Sequence, residues 1–241
     1  MCLRNTFQYN MEKYLYLFLD IAVLSVPLMA SFYPKHSYFK HWNSLFKAIV
    51  IVVVPFLLWD MFFTSIGVWG FNPTYLTGIT IGNLPVEEVL FFIFIPYSSV
   101  FIYFSLEFLL KVNPLDKVHK YITLLVIIAL GVILIFNFTK WYTASTFSLV
   151  ILYLLCHLKK KTNLGLHYLS YSVTLIFFYL VNGTLTGTFI EEPVVWYNNL
   201  ENTGYRIGTI PFEDIFYGFL LVSAIVDWFN YFRAKKIKIR F

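Results

Sequence analysis

The chain has 241 residues, of which 59% are apolar, 21% aromatic and only 13% charged. A soluble globular chain carries roughly 25% charged residues, and the mean hydropathy of +0.70 comes from long apolar runs, which excludes an ordinary soluble domain. The net charge of +5 resides in short basic clusters between those runs, a placement that fits membrane orientation better than nucleic acid.

Seven apolar windows can be read as helices crossing a hydrocarbon layer of about 30 Å, over residues 14–32, 45–63, 85–109, 121–138, 143–158, 165–183 and 211–232. The fifth is short and the weakest. Lys35, Lys40 and Lys47 follow the first span, Lys111, Lys117 and Lys120 the third, Lys159 to Lys161 the fifth, and Arg233, Lys235, Lys236, Lys238 and Arg240 the seventh. These clusters put 14 of the 18 Lys and Arg on one face, leaving Arg4, Lys13, Lys140 and Arg206 for the other. The expectation is a multi-pass protein of the cell membrane with its N-terminus outside and its C-terminus in the cytoplasm. A cleaved signal peptide is positive before its apolar region; here the flank after the first span is the more basic, and Asp20 and Pro27 interrupt the run. The span is therefore read as a mature helix. Cys2 and Cys156 then fall on opposite faces, and two cysteines make no disulfide framework.

An internal repeat organises the chain. Asn72–Phe92 (NPTYLTGITIGNLPVEEVLFF) aligns without a gap on Asn198–Gly218 (NNLENTGYRIGTIPFEDIFYG), matching Asn72 with Asn198, Gly78 with Gly204, Gly82 with Gly208, Pro85 with Pro211 and Glu87 with Glu213. The fold class expected is an all-α integral membrane protein with two parallel three-helix repeats, 1–118 and 141–241, joined by a connector helix within 119–140. Parallel repeats of this kind also occur in transporters.

Both copies place Pro-x-Glu-(Glu/Asp) where an apolar helix begins: Pro85, Glu87 and Glu88 open the third span, Pro211, Glu213 and Asp214 the seventh. Proline and acids are what any helix N-terminus prefers, but here the pattern recurs with the same glycines and sits beside Phe91, Phe92 and Phe94. Ionisable groups at membrane depth are functional candidates. Burial and a like-charged neighbour favour the neutral acid in one member of a carboxyl pair, while the helix terminus favours the anion. A neutral acid beside a carboxylate in an apolar pocket can protonate an alkene, and aromatic faces stabilise the cation that forms. Trp69, Phe71, Phe91, Phe92, Trp196, Tyr197, Phe216 and Tyr217 lie near the acids; for Trp69, Trp196 and Tyr197 a membrane-interface belt explains the aromatics equally well.

The doubled motif, LPVEEVLFF and IPFEDIFYG, in a seven-span chain of this length resembles the non-flavin lycopene cyclases: the two-subunit carotenoid cyclases, their fused single-chain forms and the cyclase half of fungal bifunctional enzymes. The resemblance implies catalytic roles for Glu87, Glu88, Glu213 and Asp214, and Phe91, Phe92, Trp69, Phe216 and Tyr217 as the wall around the substrate. It also implies a redox-neutral cyclisation of the ψ end groups of lycopene to β-rings, with no cofactor. Cyclases of longer carotenoids, or of ε- or γ-rings, share the motif's chemistry. The partners implied are the lipophilic carotenoid, membrane lipid and other enzymes of carotenoid biosynthesis, with no nucleic acid.

Asp60 in span two and its approximate counterpart Asn182 in span six are placed to orient a motif acid by hydrogen bonding, with an interhelical contact the plainer alternative. Asp20 reads as a packing residue, and Arg206, Glu191 and Glu192 as solvated loop charges, although Arg206 could also pair with a motif acid. The five histidines, His36, His41, His119, His157 and His167, lack the clustered spacing of a metal site. No lysine inside span seven precedes Lys235, which removes a retinal Schiff base, and no Asp-Asp-x-x-Asp run is present to hold magnesium diphosphate. No G-x-G-x-x-G or G-x-x-x-x-G-K-[ST] run is present to cradle a dinucleotide or a nucleoside triphosphate. The rival from another class is a small parallel-repeat transporter, disfavoured because the acids sit at helix starts rather than mid-membrane and because Pro27, Pro55 and Pro96 have no counterparts in the second half.

Overall fold

The structure, a computed structural model, describes residues 12–238; Cys2, Arg4 and Arg240 lie outside them. Seven helices follow in order: α1 (Leu15–Ala30), α2 (Trp42–Ser65), α3 (Val86–Leu109), α4 (His119–Asn137), α5 (Trp141–Lys160), α6 (Gly165–Leu185) and α7 (Phe212–Lys238). Each expected span falls on one helix, and the protein is an all-α, multi-pass membrane protein. Six helices are long and apolar enough to cross a membrane by themselves, while α1 is an apolar helix of 16 residues, about 24 Å at 1.5 Å per residue.

The weakest window proves to be a full helix of 20 residues, so α1 rather than α5 is the short one. Hydroxyls had diluted its apolar signal. Ser145 donates to the Trp141 carbonyl and Thr143 to Glu213, so these polar groups are satisfied inside the protein.

Six short strands, which the apolar windows do not reveal, cover the end of the bundle where α3 and α7 begin. They are β1 (Trp69–Phe71), β2 (Thr80–Ile81), β3 (Leu84–Pro85), β4 (Val195–Tyr197), β5 (Arg206–Ile207) and β6 (Ile210–Pro211). The hairpins β2–β3 and β5–β6 are copies of each other. In each, positive φ falls on a glycine at the first turn position, Gly82 (65°) or Gly208 (64°), and not on the residue after it. That is the type II′ pattern of two-residue hairpins. The matched Asn72 and Asn198 accept the backbone N–H two residues on, from Thr74 and Leu200. The repeat therefore encodes turn chemistry first.

Strands β1 and β4 are also copies, and they pair antiparallel with each other: Trp69 with Tyr197, Gly70 with Trp196, Phe71 with Val195. Flanking bonds from Asn72 N to Val194 O and from Asn198 N to Val68 O are both 2.8 Å. This register is that of a two-fold axis passing between Gly70 and Trp196. Only one large side chain fits on the axis: the indole of Trp196 lies over Gly70, where a Cβ would clash with it.

Below this cap α1 packs on α3 and α5 on α7, and α2 packs on α7 as α3 packs on α6. The second and third helices of each repeat thus cross to the other repeat, which puts the starts of α3 and α7 side by side. The connector α4 lies on α5 at the edge of the bundle. A core of Leu45, Ile49, Val100, Phe147, Val226 and Phe229 fills the centre.

Candidate active site

The acids are in the first turns of α3 and α7. Pro85 is the cap before α3 rather than its first residue, with ψ of 149°, so Glu87 and Glu88 are the second and third residues of the helix. Successive helical side chains diverge by about 100°, and here the divergence separates two tasks.

Glu87 and Glu213 turn back toward the hairpins. Each is fully buried and accepts a 2.7 Å bond from a loop N–H ten residues earlier, Thr77 for Glu87 and Thr203 for Glu213. They fix the loop over the helix start. Glu213 gains a second donor, Thr143 Oγ1 at 2.6 Å; the position in α1 that corresponds to Thr143 holds Leu17, and Glu87 has no such bond. One carboxyl oxygen of each, Oε2, is buried without a partner.

Glu88 and Asp214 turn inward and line one cavity of about 70 Å³ of free volume. Its wall is aromatic, including Phe91, Phe92, Trp69 and Tyr217 among the expected residues and Tyr16, Tyr142, Tyr171 and Tyr197 besides. Phe216 stands apart, packed on Phe147 and Phe212 at 5.5 and 5.1 Å between ring centroids. Both repeats thus contribute to a single cavity.

The two inward acids are held unequally. Tyr16 Oη donates to Glu88 at 2.6 Å, and its counterpart Tyr142 Oη donates to Asp214 at 2.5 Å. Asp214 receives two further bonds, from Asn182 Nδ2 at 2.8 Å and Tyr197 Oη at 2.9 Å. The positions corresponding to Asn182 and Tyr197 in the first repeat are Phe56 and Phe71, which donate nothing. Tyr197 is fit to act as a donor: burial, and then the neighbouring Asp214 carboxylate, hold its hydroxyl protonated well above the ordinary tyrosine range.

Asn182 lies beside a motif acid and donates to Asp214. Asp60 does something else: it lines the cavity itself, accepts the Trp69 indole N–H at 2.6 Å and a longer bond from Thr64 at 3.3 Å, and leaves Oδ2 buried without a partner. By the repeat spacing its true counterpart is Thr186. Asp20 is wholly buried with neither carboxyl oxygen hydrogen-bonded. Arg206 does not reach the acids; it donates to Thr209 O and Asn199 and lies over the Tyr197 ring. Glu192 accepts from Asn72. Two of the histidines that look scattered in sequence, His157 and His167, meet on Asp227 at 2.9 and 3.1 Å at the far end of the bundle.

Tyr16 and Tyr142 lie outside the aligned repeat segments and were not among the expected site residues. Extending the repeat spacing back into α1 pairs these two tyrosines and would have found them.

Carboxyls with unequal donors, facing an aromatic cavity inside a helical membrane protein, are equipped for acid–base chemistry on an apolar substrate. The model of the lycopene cyclase family matches residues 13–106 and 139–232, over three quarters of the chain and in two blocks with the spacing of the internal repeat. The chain belongs to the lycopene cyclase family and is a carotenoid cyclase. No curated protein and no solved structure matches it.

Proposed function

We propose that the protein is a lycopene β-cyclase, an isomerase that closes the ψ end groups of lycopene to β-rings at the cavity shared by the two repeats. The observation that carries this reading is the unequal pair, Glu88 with one donor and Asp214 with three. Hydrogen bonds to a carboxylate favour its charged form, so Asp214 is the anion and Glu88 the carboxyl that carries the proton.

The O–H bond of Glu88 breaks as a C–H bond forms at the terminal alkene, leaving a tertiary cation. The neighbouring internal alkene closes on it, forming a C–C bond and moving the cation into the ring. Asp214 stabilises this positive charge and takes a ring proton, which restores a double bond. One proton is added and one removed, so composition and oxidation state are unchanged, and no cofactor is consumed. The faces of Phe92, Trp69 and Tyr217 stabilise the cation without offering it a nucleophile, and Asp60 fixes the Trp69 indole. Glu87 and Glu213 keep the hairpins seated and so hold the inward acids in place.

The acid-bearing end faces the outside of the cell membrane and the C-terminus the cytoplasm, on the strength of the loop charges. The test is pigment chromatography of lycopene-accumulating cells expressing this chain. Cyclic carotene with β-rings is expected from the parent and far less of it from Glu88→Gln or Asp214→Asn; cyclisation at the parental rate by both variants would overturn the assignment.

A further inference from the structure

A second cavity adjoins the acid-lined one. It holds about 390 Å³, lies between α1, α3 and α6, and shares Ile95, Thr174 and Phe178 with the first. On α3 it runs as far as Ile102, fourteen residues past Glu88, which is about 21 Å along the helix axis. Its flank is open: Val26, Phe177 and Leu180 are each more than half exposed, so the cavity is a groove facing the hydrocarbon of the bilayer.

The groove's backbone shows how it stays apolar. Pro27 has no N–H for the carbonyl of Val23, an unmet acceptor that costs several kcal/mol in lipid. Ser98 Oγ crosses from α3 and donates to that carbonyl at 3.1 Å. Ser99 turns its hydroxyl onto Ile95 O in its own helix, at 2.8 Å. Both serines therefore show carbon to the groove, and of its hydroxyls only that of Thr174, at the junction with the acids, is buried without a partner.

We propose that this groove binds the polyene of the substrate, so that one ψ end reaches Glu88 and Asp214 while the rest of the chain lies straight along α3 and is admitted sideways from the lipid between α1 and α6. The proposal deepens the cyclase reading and rests on it. The occupant follows from continuity with the acid cavity, from an apolar wall that runs along α3 away from the acids, and from the reach of about 21 Å between Glu88 and Ile102, which an extended chain spans. A consequence is that the two ends of a carotenoid are closed in separate visits, because the second end points away from the acids while the first reacts.

The test fills the groove away from the acids. Ala22 lies on its rim, and Ala22→Trp occupies the space a polyene needs; Ser148, its counterpart on α5, is exposed, and Ser148→Trp places the same bulk on the other side of the two-fold axis. Two readouts are taken at equal amounts of folded protein: cyclic product in lycopene-accumulating cells, and lycopene retained per purified chain in a Glu88→Gln background, which binds without turnover. Ala22→Trp is expected to lower both by about ten-fold or more, a loss of at least about 1.4 kcal/mol of binding, and Ser148→Trp neither. Unchanged product and retention in Ala22→Trp, equal losses in Ser148→Trp, or recovery of a phospholipid acyl chain in place of lycopene would each overturn the groove. If the parent makes no cyclic carotene the cyclase reading fails by itself, and polyene retention still decides the groove.

Discussion

The two halves share a scaffold and differ in what touches the acids. Both bring a helix start, a type II′ hairpin and a tyrosine from the repeat's first helix to an inward carboxyl. At positions that correspond, however, Phe71 faces Tyr197, Phe56 faces Asn182, Leu17 faces Thr143 and Asp20 faces Thr146. Every change but the last adds a donor around the acids of the second half. Duplication supplies two like carboxyls, whereas the cyclisation proposed above needs two unlike ones, a donor and an acceptor, and the divergence beside them is a difference of that kind.

The largest effect belongs to the acids themselves: Glu88→Gln and Asp214→Asn should each lower the cyclisation rate by about 100-fold or more, the scale of a lost general acid or base, measured as product formed per folded protein. Making the halves more alike comes next. Tyr197→Phe takes a donor from Asp214, and since a hydrogen bond to a charged group is worth about 1.5–3 kcal/mol the rate should fall by ten-fold or more. Tyr16→Phe should cost less, because it touches the acid assigned the proton; a greater loss there would reverse the two roles.

Stability effects are smaller. Gly82→Ala and Gly208→Ala force a side chain into positive φ and crowd Met61 or Thr188 and Tyr179, and each should lower stability by about 1–2 kcal/mol, read as the melting temperature in detergent. Smallest is Thr143→Val, expected to cost about 1 kcal/mol, because Glu213 keeps its bond to the Thr203 N–H. A loss of all activity in Thr143→Val with unchanged melting would move Glu213 from holding the loop to the chemistry.

Much of this was legible in the amino-acid order. Apolar runs placed the seven helices to within a few residues, since lipid demands a continuous apolar helix whatever its neighbours. The repeated glycines, asparagines and prolines marked the hairpins, because left-handed turn positions and capped turns demand particular residues locally. Phase around a helix was less legible. Glu87 and Glu88 are neighbours of like chemistry, and no local preference says which faces the loop and which the cavity.

That choice is made by Tyr16 and Tyr142, which arrive on α1 and α5 from 72 residues away, and by Tyr197, brought in by a strand that pairs across the two-fold axis. Phe216 was near the acids in sequence and turns away from them in space, for the same reason. The spans, the duplication and the acids could all be read from the amino-acid order, because they are properties of short stretches in contact with lipid or with their own backbone. Which acid lines the cavity, and how many donors each receives, came from the packing of the helices, because those depend on side chains from separate helices meeting at one point.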